Sequence, residues 1–220
     1  VLVSEGVKLT VEAGVEVKFG SGTSLQVFGE LVAQGTSSSG ITFTSAQDSK
    51  AAGDWGQIVF YDSSVDASYD GNGDYASGSI LEYCTVEYGG GIQLNLANPF
   101  INQGTIRYHS GRGIGTDNYN SSNNSATLKI TNNTISNNAG GVHLYGLGTV
   151  LISGNTISNN SVSGSGAGIK IDGGDGVTIS GNTIENNVAE SEGGGIGGGG
   201  GYQVLNNVIK GNQARSGGGI

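Results

Sequence analysis

The sequence predicts an all-β fold, a right-handed parallel β-helix: a solenoid with three short strands per coil and an internal asparagine ladder. Three observations predict it. A nine-residue phrase recurs as "ITNNTISNN" at 130–138, "ISGNTISNN" at 152–160, "ISGNTIENN" at 179–187 and, more loosely, "VLNNVIKGN" at 204–212. The apolar residues are mostly β-branched and stand two apart, the alternation of a strand with one buried face. Glycine makes up 43 of 220 residues and proline one, without the every-third-residue period of collagen. Turns therefore fall to residues that tolerate left-handed backbone.

The spacing of the phrase gives the coil. Its isoleucines, Ile135, Ile157, Ile184 and Ile209, lie 22, 27 and 25 residues apart, and Val86 and Ile106 continue the series upstream. A second register follows at Ile92, Ile114, Val142, Ile169, Ile196 and Ile220. A period just over twenty with Gly/Asn corners is a solenoid signature. Leucine-rich repeats need a fixed leucine grammar and a helical return, and left-handed hexapeptide helices an apolar residue every six; neither occurs. In "VLISGNTISNN", Val150 and Ile152 face inward and Leu151 outward. Asn132, Gly154, Gly181 and Asn206 bend the chain, and Asn133, Asn155, Asn182 and Asn207 turn inward after them. Stacked about 4.8 Å apart, these four form a side-chain amide ladder. Removing a rung strands buried polar groups at roughly 1–3 kcal/mol. Their role is structural, and the slot upstream holds Cys84 and Gly104.

The N-terminal third reaches the same architecture through other letters. Val7, Leu9 and Val11, then Val15, Val17 and Phe19, then Leu25 and Val27, then Leu31 and Ala33 alternate in short bursts cut by glycine. Ile41/Phe43 and Ile58/Phe60 add inward pairs, and Trp55 packs at a coil edge. The chain reads as one domain over 1–220, a segment of a longer stack, with an acidic loop inserted at 61–79.

Charge and cysteine content narrow the partners. The net charge is −9 and twelve of the eighteen acids precede residue 90, which disfavours nucleic acid and anionic membranes. No apolar run is long enough for membrane insertion. Cys84 has no disulfide partner in the chain and reads as a buried, inert thiol.

The blocks "VEAGVEVKFGSGTSLQVFGELVAQGT", "GITFTSAQ", "GDWGQIVF", "SILEYCTVEYGGGI" and "NNTISNNAGGV" span nearly the whole chain. On them it resembles the bacterial and archaeal surface proteins with right-handed parallel β-helix repeats, in the broad pectate-lyase-like superfamily. The resemblance implies an extracellular or cell-surface location. It implies no single activity, since the same coil carries lyases, hydrolases, epimerases, adhesins and passive stalks.

Two stretches carry candidate chemistry. In "DASYDGNGDYASGS", 66–79, Asp66, Asp70, Asn72 and Asp74 offer oxygens on a glycine-rich turn, a spacing suited to Ca2+; Tyr75 and Leu81 break the match to an EF-hand loop, and a bare solvated acidic loop needs no metal. At 82–117, Glu82, Glu87, Tyr88, Arg107, Tyr108, His109, Arg112 and Asp117 gather, and one coil between Val86 and Ile106 sets Glu87 beside Arg107. By the resemblance, β-helix lyases use an Arg or Lys to remove the proton α to a uronate carboxyl group while a cation neutralises it, a part open to Arg107, His109 and Glu87. The same residues also read as a cross-strand ion pair on a solvated face. The Asp-Asp, Gly-His-Gly and Arg-Ile-Lys signatures of polygalacturonases are absent.

Elsewhere the signals are weaker. His143 faces outward with no ligand partner at metal spacing, Lys170 and Asp172 lie outward on one strand, and the glycine run at 193–201 is no phosphate cradle. Thr105, Thr134, Thr156 and Thr183 form one outward column, ended by Val208, where ice binding needs a regular array. Triplets resembling glycosylation sequons, as at Asn120 and Asn123, arise by chance in so Asn-rich a chain. The leading expectation is a non-catalytic stalk, fibre or adhesin segment touching glycans or copies of itself; the alternative is a polysaccharide lyase acting on acidic glycans.

Overall fold

Alternating β-branched residues and tight Gly/Asn corners leave the chain one economical way to satisfy its backbone, which is to pair each coil with the next. The computed structural model, which describes residues 1–116, 126–145, 148–174 and 176–220, does this throughout. Three parallel sheets of eight strands run along the axis. One coil consists of Val142–Tyr145 in the first sheet, Thr149–Ser153 in the second and Thr156–Ser158 in the third. The next repeats it with Ile169–Asp172, Gly176–Ser180 and Thr183–Glu185. No helix occurs among the described residues, so none is long and apolar enough to cross a membrane.

Register stacks like on like. The third sheet aligns Val17, Phe43, Val86, Ile106, Ile135, Ile157, Ile184 and Ile209 in one inward column. The first aligns Leu25, Ile58, Ile92, Ile114, Val142, Ile169 and Ile196. The second aligns Val11, Ala33, Leu81, Ile101, Ile130, Ile152, Ile179 and Val204. These columns close into one continuous core. Trp55 belongs to it, stacked on Phe19 at 4.2 Å, with its indole N–H donating to the Glu87 carbonyl. Val7 and Val15 are exposed rather than inward as their alternation suggests.

Two left-handed corners flank each of six strands of the third sheet, from Cys84–Glu87 to Val208–Lys210. The first column holds Tyr83, Gln103, Asn132, Gly154, Gly181 and Asn206, all at positive φ. The second holds Tyr88, Tyr108, Asn137, Asn159, Asn186 and Gly211. After each corner the next residue turns inward, and that is where the ladders stand. Asn133 donates from its backbone N and Nδ2 to Asn155 Oδ1, Asn155 likewise to Asn182, and Asn182 to Asn207. A second, parallel ladder runs Asn138, Asn160, Asn187, Asn212 with the same bonds. The doubled "NN" of the repeat thus writes a corner and a rung together.

The outward threonine column is longer than the repeat alone suggests, running Thr42, Thr85, Thr105, Thr134, Thr156 and Thr183 before Val208. Beside it lie Glu87, Arg107, Ser136, Ser158 and Glu185, a mixed column rather than a second hydroxyl rank.

Candidate functional site

Glu87 and Arg107 are direct cross-strand partners in the third sheet. Arg107 donates from Nε and Nη2 to Glu87 Oε2 at 3.0 and 2.8 Å. Thr44 donates its hydroxyl to Glu87 Oε1, and Lys50 lies 3.8 Å from the same oxygen. Glu87 is only 6% exposed, and a buried carboxylate is tolerable when charges and hydrogen bonds surround it in this way. Outside it, Tyr88 and Tyr108 stack at 5.3 Å, with Lys50 over Tyr88 and Arg107 over Tyr108. The result is a cation–aromatic–aromatic–cation pile bolted through Glu87.

His109 departs from the lyase expectation. It follows the left-handed Tyr108 and so occupies the second ladder slot, 2% exposed. Its Nδ1 accepts from Gly89 N at 3.2 Å and its Nε2 donates to the Val86 carbonyl at 3.0 Å. Its own backbone N donates to Asn138 Oδ1. An imidazole stands here where lower coils place a carboxamide, and burial pushes its pKa down to about 4. It faces the core, away from Arg107. Asp117 lies outside the described residues, as do Asn120 and Asn123.

The insertion is built on aromatics as much as on acids. Ser68–Tyr69 and Tyr75–Ser77 pair as a short antiparallel hairpin. Tyr69 meets Phe100 edge-on at 5.7 Å and Tyr75 stacks on it at 6.0 Å. Phe100 belongs to an outward column of the second sheet with Val32, Ile80 and Lys129, so the hairpin covers apolar surface that water would otherwise wet. Lys129 caps it, 3.7 Å over the Tyr69 ring and donating to the Gly73 carbonyl at 2.6 Å.

The four proposed oxygen ligands do not share one task. Asp66 accepts the backbone N and Nδ2 of Asn98. Asp70 Oδ1 accepts the N–H groups of Asn72 and Asp74, closing its own turn. Among the described residues no three His, Cys, Asp or Glu side chains gather as a metal centre requires.

On the outer face of the first sheet, register joins residues that the sequence separates. His143 pairs with Lys170 and Tyr145 with Asp172. Asp172 Oδ2 lies 3.1 Å from His143 Nε2 and 2.8 Å from Lys170 Nζ. The His143 and Tyr145 rings are 4.5 Å apart, and Arg112 and Lys170 approach the Tyr145 ring at 6.0 and 5.8 Å. Burial lowers the His143 pKa to about 4, so the ring is neutral at pH 7 although Asp172 favours its charged form. Arg112 and Gly115 also line a groove of about 320 Å³ with Gln57, Gln93 and Gly111.

The model of the right-handed β-helix region matches residues 31–220. The chain belongs to the right-handed β-helix family. Searches of the curated proteins and of the solved structures gave no match. Within a right-handed β-helix, function resides on the outer faces, because the interior is packed solid. The cluster around Tyr145 lies on such a face; the sequence alone gives His143, Lys170 and Asp172 as separate outward residues and does not join them. The signal was available in the second register: adding one and three to Val142 and Ile169 gives His143/Lys170 and Tyr145/Asp172.

Proposed function

We propose that the chain is a non-catalytic structural segment of an extracellular or cell-surface protein, a rigid rod that presents its outer faces to glycans or to further copies of itself. One observation carries this reading. The residues with the best claim to acid–base chemistry, Glu87, Arg107 and His109, are engaged by each other's strands and by main chain, and the histidine points into the core. A lyase built on them would need an unencumbered base beside its substrate. Three sheets in unbroken register, pinned by two amide ladders, suit a stiff spacer instead.

The test is turnover. Purified protein incubated with alginate, pectate or glycosaminoglycan, with and without calcium, is expected to give no rise in ultraviolet absorbance from unsaturated product. Turnover abolished by Arg107→Ala, with the fold intact by circular dichroism, overturns the reading. Negative-stain electron microscopy of the same material is expected to show rods rather than compact particles.

A further inference from the structure

Asparagine is the structural letter of this chain, and the ladders protect it. Every ladder carboxamide accepts at Oδ1 and donates from Nδ2. Each is also followed by a residue with a side chain. Asn72 differs on both counts. It is exposed, between the paired segments Ser68–Tyr69 and Tyr75–Ser77, and it precedes Gly73 in the one Asn–Gly step of the sequence. Gly73 has φ +85°, and a Cβ there would meet nothing nearer than Lys129 Nζ at 3.6 Å. The main-chain nitrogen after an asparagine can close a five-membered ring on the side-chain carbonyl carbon, and glycine removes the side chain that hinders closure.

We infer that Asn72–Gly73 is a self-modification site, that Lys129 sets its rate, and that its isoaspartyl product unseats the hairpin. The Gly73 nitrogen loses its proton to hydroxide and bonds to Asn72 Cγ. The Cγ–Nδ2 bond breaks, and the nitrogen leaves as ammonia after taking a proton from water. Water then opens the succinimide at one carbonyl or the other, so the main chain runs either through Cα alone, as aspartate, or through Cβ and Cγ, as isoaspartate. In the seated hairpin the attacking N–H is occupied, donating to the Asp70 carbonyl at 3.0 Å. Asp70 Oδ1 holds the N–H groups of Asn72 and Asp74 in the same turn. Lys129 fastens the turn from outside, through the Gly73 carbonyl at 2.6 Å and the Tyr69 ring at 3.7 Å. The reaction therefore proceeds through local opening of the turn. Isoaspartate lengthens the main chain by one carbon between 72 and 73, which draws Gly73 N–H off Asp70 and its carbonyl off Lys129. Tyr69 and Tyr75 then lose the turn that pairs them over Phe100. This goes beyond the rod reading, which places no demand on the hairpin.

Ageing the purified protein in mildly alkaline buffer, with peptide mapping by mass spectrometry and isoaspartyl methyltransferase labelling, tests this. Asn72 is expected to gain about one mass unit, with labelling at that position, about tenfold faster than any ladder asparagine. Lys129→Ala is expected to speed the conversion about threefold, because the turn opens more often. Limited proteolysis then reads the consequence. The isoaspartyl fraction is expected to be nicked between residues 68 and 77 several-fold faster than fresh protein, whereas aged Asn72→Gln is nicked no faster than when fresh. Asn72→Asp carries the new charge without the extra main-chain carbon, and is expected to be nicked like fresh wild type. Conversion of Asn72 no faster than that of the ladder asparagines overturns the site, and an unchanged rate in Lys129→Ala overturns the role of the latch. Equal nicking of fresh and isoaspartyl protein, or nicking of Asn72→Asp as fast as the isoaspartyl fraction, overturns the unseating. None of these outcomes touches the rod reading, which stands or falls on turnover and particle shape.

Discussion

The inner slot after each left-handed corner asks for a hydrogen-bond donor aimed at the coil above and an acceptor for that coil's N–H. Asparagine supplies both from one planar group, and Asn138 shows the arrangement, with Nδ2 donating to the Ile106 carbonyl. His109 meets the same demand with two ring nitrogens. Cys84 meets half of it, its thiol donating to the Ala33 carbonyl at 3.3 Å, and burial raises its pKa to about 12, so it remains a thiol. His109→Asn is therefore expected to fold and retain the rung. His109→Ala strands the Gly89 N–H and the Val86 carbonyl, at about 1–3 kcal/mol for each buried group, measurable by urea unfolding. The pH dependence has a definite sign. His109 and His143 both fall from the ordinary 6.5 to about 4, so between those values the unfolded chain binds protons that the folded chain does not. Stability is full above pH 6.5 and declines as pH is lowered toward 4, by roughly 1.4 kcal/mol per unit for each histidine. In His109→Asn the slope across this window is expected to fall from about two protons toward one. An unchanged slope would mean that His109 is not the buried neutral ring described.

At the scale of elements, legibility followed periodicity. The third sheet was readable because each of its strands in the last coils carries the same Thr-Ile or Val-Ile pair between two corners. The second ladder was written in the same letters, but the doubled asparagine looked like one turn signal rather than a corner plus a rung. The cluster on the first sheet was illegible strand by strand, since it exists only when unequal coil lengths are subtracted correctly. The insertion is read first from its composition. Its acids are conspicuous, yet what seats it is Tyr69 and Tyr75 on Phe100, chemistry that depends on an outward phenylalanine in a distant strand. Lys129→Ala should loosen this hairpin, seen as faster proteolytic nicking between residues 68 and 77, with a small loss of global stability because the core is untouched. Lys129 already donates to the Gly73 carbonyl, and a divalent ion in the same turn would meet that positive charge. The melting midpoint is accordingly expected to be the same in calcium and in chelator. A clear rise with calcium would instead make Asp70, Asn72 and Asp74 ligands.

For the whole molecule the relevant physics is one-dimensional. Each coil pairs only with the coils above and below it, so stability is close to a sum of coil terms and nearest-neighbour interfaces. The ladders run along that axis and are the most direct carriers of the interface term, since each Oδ1 accepts both the backbone and side-chain N–H of the rung above. Removing Asn155 strands the Asn133 donors and the Ile130 carbonyl together. Removing Asn182 afterwards finds part of that network already broken. A double-mutant cycle on Asn155→Ala and Asn182→Ala should therefore be non-additive by about 0.5–3 kcal/mol. The pair Asn133→Ala and Asn207→Ala shares no hydrogen bond and should add within about 0.5 kcal/mol. Equal coupling in both pairs would point to a core that responds as one block rather than coil by coil, and no coupling in either would remove the ladders from the energetics of the stack.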